Sequence, residues 1–353
     1  MVGFGQGQHA QVNLTWTVHP PVNKVDLHHH MVPDFYARAV EEAGGDPSGW
    51  PTPSWSPDAS RAMMSHLGIR LAVLSVTPPG PSIFAKDMSR QALLSRQLNE
   101  YSAELRDSDP TTFGFFATVP DITNTSAALL EIAYAFDVLH ADGVTLYSRY
   151  GNSTTYLGNP IFEPIWAELD RRSATVFVHP TFGTDLTQVN KFMPLPLIDY
   201  PQETARAAVD MITRRTLNRY KNVKVILSHA GGTLPWLSGR LLTPLRATEL
   251  AGADATYSLG TTYADALESF RSFYYDTALS TAPHVLRTLG ELVPKDHVVY
   301  GSDFPYPPPA SYPTFLEDLE TYGYSCDDGD RVNFGNAKAL ISSLSVHKEK
   351  TEL

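Results

Sequence analysis

Eight short runs of apolar, largely β-branched and aromatic residues recur along the chain, and they restrict its architecture more than any other feature. They are KVDL (24–27), IRLAVLSV (69–76), TFGFFATV (112–119), GVTLY (143–147), ATVFVHP (174–180), VKVILSH (223–229), SFYYDT (272–277) and HVVYGSD (297–303). Most are near-continuously apolar, which suits parallel strands buried on both faces. Between them lie segments with apolar residues at helical spacing: SRQALLSRQLNEYSAELRDS, TSAALLEIAYAFDVLH, NPIFEPIWAELDRRS, QETARAAVDMITRRTLNRY and the shorter PHVLRTLGELVP. Alternation of strand and helix predicts a parallel α/β fold, and eight strands favour a distorted, closed (β/α)8 TIM barrel over an open doubly wound sheet. No repeat or composition break marks a second domain. Residues 23–353 therefore read as one barrel domain behind a flexible lead-in over 1–22. Residues 41–60 and 181–200 read as long loops after the first and fifth strands, where such barrels build their sites.

Composition removes several function classes. A formal net charge of -11 over 353 residues argues against nucleic-acid or anionic-membrane partners. The single cysteine, Cys326, excludes an intrachain disulfide and a thiolate zinc cluster, and it fits a reducing, cytoplasmic setting. No apolar run approaches membrane-spanning length. The N-terminus lacks the basic start and apolar core of a secretory signal. Its glycines follow no strand and precede no helix, so they do not read as a nucleotide loop.

Polar residues at the strand ends carry the chemistry. In VDLHHHMVP the strand continues through the histidines, so His28 and His30 face one side and His29 the other. His179 ends the fifth run, His229 the sixth and Asp303 the eighth. All five would meet at the C-terminal mouth of a barrel. Three imidazoles and one carboxylate suit Zn²⁺ or Mn²⁺ better than Ca²⁺ or Mg²⁺. His28, His30, His179 and Asp303 are thus candidate ligands for one ion with a position left open. His229 remains as an acid/base beside it. The adjacent glycines of AGGTLPW let the backbone approach a ligand.

VDLHHH, VFVHPT, VILSHAGGTLPW and VVYGSDFPY together resemble the strand-end motifs of the amidohydrolase superfamily. More narrowly they resemble its metal-dependent decarboxylase branch, with the aminocarboxymuconate-semialdehyde and resorcylate decarboxylases. YLGNPIFEPIWAELDRRSATVFVHPT and YPQETARAAVDMI are similar to that branch as well, and the loop GGDPSGWPTPSWS most resembles 6-methylsalicylate decarboxylases. The resemblance implies non-oxidative decarboxylation of a small hydroxy-aromatic acid, here 6-methylsalicylate to m-cresol. It implies a single metal, since GVTLY and ATVFVHP lack the lysine of two-metal relatives. It implies a homodimer, with Arg240 placed to reach a substrate across the interface. Phe304, Phe84 and Trp236 are candidates to sandwich the ring. Either Asp303 or His229 would deliver the proton. The rival function within the same fold is a metal-dependent hydrolase of a lactone, ester or amide.

Overall fold

The structure is a computed structural model. It describes residues 15–341 apart from 86, 152–154 and 253–258. Of the expected lead-in, residues 1–14 lie outside the described residues. The rest runs irregularly toward the first strand, with Trp16 stacked on His66 at 4.8 Å.

Each of the eight apolar runs forms a strand: β1 Lys24–His30, β2 Ile69–Ser75, β3 Phe113–Thr118, β4 Gly143–Tyr147, β5 Thr175–His179, β6 Lys224–Leu227, β7 Tyr274–Asp276 and β8 Val298–Val299. They pair in parallel in sequence order. The sheet closes where the Leu27 N–H donates to the Tyr300 carbonyl at 3.1 Å and the His30 N–H to the Phe304 carbonyl at 2.7 Å. This is the expected TIM barrel.

Alternation along the strands sorts the apolar residues into two layers. Val25, Leu27, Leu71, Val73, Phe116, Phe177, Ile226 and Val299 fill the barrel. Residues of opposite parity, such as Leu74, Phe115, Leu146 and Val178, belong to the layer that packs under the helices. The barrel floor is stoppered by the last described segment. Ala337, Leu340 and Ile341 join the interior cluster, and the Thr175 hydroxyl donates to the Leu340 carbonyl at 2.8 Å.

The expected loops are shorter than the sequence reading. Helices Asp34–Glu42 and Pro57–Leu67 take both ends of 41–60, and helix Leu195–Thr213 starts inside 181–200. Two causes are visible. Ser56 caps the second of these helices by accepting the Ala59 N–H at 3.0 Å. Buried Leu195 and Tyr200 extend the apolar face of the third one two turns N-terminal to the periodic segment. Helix Leu234–Ala251 follows β6, and Tyr263–Ser272 precedes β7.

Candidate metal centre and its pocket

Which way β1 points its histidines is decided by a bulge. Asp26 pairs with Ala72 and His29 with Leu74, so β1 advances three residues while β2 advances two. The extra residue lets Leu27 and His28 both face inward. Asp26 and His29 then face outward together, and the His29 ring lies 2.9 Å from the Asp26 carboxylate and 2.9 Å from the Ser60 hydroxyl. His28 and His30 remain on one side, the barrel interior.

Three imidazoles are clamped at Nδ1 and turn Nε2 inward. His28 Nδ1 donates to Asp276 Oδ2 at 2.7 Å. His30 Nδ1 lies 3.0 Å from the Ser75 hydroxyl, which itself donates to the His29 carbonyl at 3.3 Å. His179 Nδ1 donates to the Pro180 carbonyl at 2.8 Å. Such partners fix tautomer and ring orientation. Beneath the rings lies Phe177, edge-on to His28 at 4.9 Å.

The free nitrogens converge. His28 Nε2 is 3.0 Å from His30 Nε2, and Asp303 Oδ1 is 3.2 Å from the first and 3.1 Å from the second. Donors bound to one ion at about 2.1 Å stand roughly 3.0–3.4 Å apart, so the donor set fits a divalent cation. His28, His179, His229 and Asp303 offer ligand atoms that all lie within 4.8 Å of one another. His229 differs from the other three imidazoles. Its Nε2 meets the second carboxylate oxygen, Asp303 Oδ2, at 3.4 Å, and its Nδ1 is buried with no partner among the described residues.

The electrostatics agree with cation binding. Burial opposes charge on His28, but the Asp276 and Asp303 carboxylates outweigh it and raise its pKa to about 10. Burial dominates at His30 and lowers it to about 4. Burial and the neighbouring imidazoles hold His179 well below its usual range. Burial opposes ionisation of Asp303, yet the histidines around it hold its carboxyl well below the usual carboxylate range. Two neutral imidazoles and one carboxylate are ready donors, and a cation must displace only the proton held by His28.

Backbone strain concentrates here. Asp303 (φ 58°), His229 (φ 55°) and Leu279 (φ 53°) adopt left-handed conformations after strands β8, β6 and β7. All three residues line a cavity of about 420 Å³ at the mouth. The glycines of the β6 turn serve the chain itself rather than ligand approach alone. A Cβ on Gly232 would lie 2.1 Å from the Pro201 carbonyl oxygen, and one on Gly231 would lie 2.7 Å from the Tyr275 ring.

Aromatic walls come from residues that sequence reasoning did not select. Trp50, Tyr200, Tyr306 and Phe315 line the cavity, with Tyr306 edge-on to His30 at 5.4 Å. The four suggested pocket residues lie elsewhere in the single chain. Phe304 is buried against His29 at 5.1 Å, and Phe84 sits under the Arg90 guanidinium at 3.7 Å. Trp236, 85% exposed, and exposed Arg240 lie on the outside of the helix after β6. Asp276 and Ser75 were also missed. Each ends a strand, so the argument applied to β1, β5, β6 and β8 holds equally for β7 and β2.

Comparison with known proteins agrees with this architecture. A 6-methylsalicylic acid decarboxylase of Penicillium expansum is 42% identical over 330 residues, covering 94% of this chain and 99% of that protein. One from Aspergillus aculeatus is 42% identical over 90% of this chain and 94% of its own length. Among solved structures, a dihydroxybenzoic acid decarboxylase from Polaromonas sp. JS666, with bound manganese and 2-nitroresorcinol, superposes with a TM-score of 0.74 at 20% identity. That likeness covers 90% of this chain and 96% of the other and shows the shared fold. The sequence model described as amidohydrolase matches residues 25–341, and the chain belongs to that family.

Proposed function

We propose that this protein is a metal-dependent, non-oxidative decarboxylase that converts 6-methylsalicylate to m-cresol and CO₂. The observation that carries the reading is the junction of three clamped imidazoles and Asp303 with a cavity whose described lining holds no lysine or arginine. Its size suits a small aromatic acid. The relatives' names supply the substrate class.

His28, His30, His179 and Asp303 hold the ion, because each of these imidazoles has its remote nitrogen fixed and Asp303 turns Oδ1 toward two of them. When bound, a divalent ion there supplies electrophilic stabilisation to the carboxylate and ortho-hydroxyl oxygens of the substrate. We assign Zn²⁺ in preference to Mn²⁺ on the three-imidazole donor set. Tyr200, Tyr306 and Trp50 exclude water and hold the ring. His229 and Asp303 Oδ2, 3.4 Å apart on the cavity wall, form the pair that supplies a proton to the ring carbon bearing the carboxylate. As the C–C bond breaks, its electrons restore the aromatic ring and CO₂ departs. The enzyme acts in the cytoplasm within a polyketide pathway as a homodimer. Trp236 and Arg240, one helical turn apart, share an outward face that fits such an interface.

The test is incubation of metal-loaded protein with 6-methylsalicylate, following m-cresol and CO₂ against a chelated control. Both products are expected, and both disappear with chelation. Metal-loaded protein that releases neither, yet opens a lactone or an ester, is the hydrolase instead.

A further inference from the structure

The cavity wall carries a second carboxylate that neither the cation cluster nor the proton pair uses. Asp46 lies in the 43–56 connection and lines the same cavity as Asp303, His179 and His229. It is held in place: its Oδ1 accepts the Ser48 N–H at 2.8 Å, and the Ser48 carbonyl accepts the Leu195 N–H at 3.3 Å. The loop is thereby tied to the start of helix Leu195–Thr213, whose Leu197 and Tyr200 form the adjoining wall. Burial pushes the Asp46 carboxyl above its usual range, with Ser48 opposing. Among the described residues lining the cavity there is no lysine or arginine to pair with it.

We propose that Asp46 is a specificity-determining residue that restricts the pocket to aromatic acids with one carboxylate, rejecting rings that bear a second. This rests on the decarboxylase reading. The first carboxylate of a substrate goes to the imidazole floor. A second one is carried onto a wall with no lysine or arginine, where it is desolvated without a partner and meets the Asp46 carboxylate that lines the same cavity. A hydrogen, a methyl or a hydroxyl at that place meets neither penalty. The selection is therefore made by repulsion, which discriminates without adding affinity for the accepted substrate.

The experiment compares wild type with Asp46→Asn, which keeps an oxygen to accept the Ser48 N–H while removing the charge. Asp46→Ser provides a second neutral variant. Turnover is measured on 6-methylsalicylate and on salicylates carrying a second carboxylate at ring carbon 3, 4, 5 or 6. Binding of unreactive 2-methylbenzoate and phthalate is followed by tryptophan fluorescence, since Trp50 lines the cavity. The ratio of diacid to monoacid kcat/KM should rise at least tenfold in Asp46→Asn for one or more of the diacids, and phthalate should gain affinity relative to 2-methylbenzoate. Equal ratios in wild type and both variants overturn the proposal. If wild type decarboxylates none of the acids but the fluorescence selectivity is present and lost in the variants, the filter stands and the decarboxylase reading falls.

Discussion

The imidazoles of β1 and the imidazole after β6 face one another across a single site but are held in opposite ways. His28 and His30 sit on a strand, fully buried, each with its remote nitrogen fixed by Asp276 or Ser75. His229 sits on a tight turn with φ 55°, and its Nδ1 has no partner among the described residues. Its backbone N–H is anchored to Asp276 Oδ1 at 2.9 Å, while its ring meets Asp303 Oδ2 at the longer distance of 3.4 Å. Clamping suits a ligand, whose lone pair must keep one direction. A ring free to exchange its proton suits an acid.

The sharpest way to break that contrast is to exchange the effects of the two groups. His28→Ala should lose the ion and with it turnover, by about 10⁴-fold or more, the scale of several kcal/mol of electrophilic stabilisation. Metal analysis after gel filtration checks this directly, and a fully loaded His28→Ala protein would remove His28 from the ligand set. His229→Ala should keep its ion and still lose about 10²–10⁴-fold in kcat, the range for one proton-transferring group. If this variant is purified without metal, the division between ligand and acid is wrong.

Smaller effects test the clamps. Asp276→Asn should weaken metal affinity about 100-fold and Ser75→Ala about tenfold, because a charge-assisted partner orients a ring more strongly than a neutral one. Competition with a chromogenic chelator measures both. Equal losses would mean that orientation does not depend on the partner's charge. The smallest effect is in proton release. With Asp276 and Asp303 raising His28 to about 10, the ion-free site holds that proton at pH 8, and the ion must displace it. Affinity should then climb about tenfold per pH unit and level off near the folded-state pKa. Asp276→Asn lowers that pKa and moves the plateau to lower pH, which an indicator dye follows during metal addition.

Much of this was legible in the chain. A parallel strand that is buried on both faces carries few polar residues before it emerges, so His179, His229 and Asp303 at the strand ends marked the mouth as soon as the strands were located. The same rule applies to Asp276, which was missed because a three-residue strand with two tyrosines made the apolar run less conspicuous. Pocket walls were another matter. Tyr306 and Tyr200 stood inside the quoted segments but owe their placement to turns and to a helix that starts early, and neither follows from a period of two. Trp236 shows the converse: adjacency to the β6 motif in sequence placed it on the outer face of a helix, 85% exposed.

The extra residue in β1 makes the sidedness of the site a matter of counting. The same residues paired without a bulge would alternate strictly from Val25, so Leu27 and His29 would enter the barrel while His28 and His30 turned toward the helices, where Ser60 and Trp55 lie. Removing Leu27 does the opposite: the surplus residue is gone, plain alternation returns, and His28 and His30 still face inward. Selection that preserves this chemistry therefore acts on the register of a strand as strictly as on its letters, and a shift of one residue there is a change of function rather than of stability.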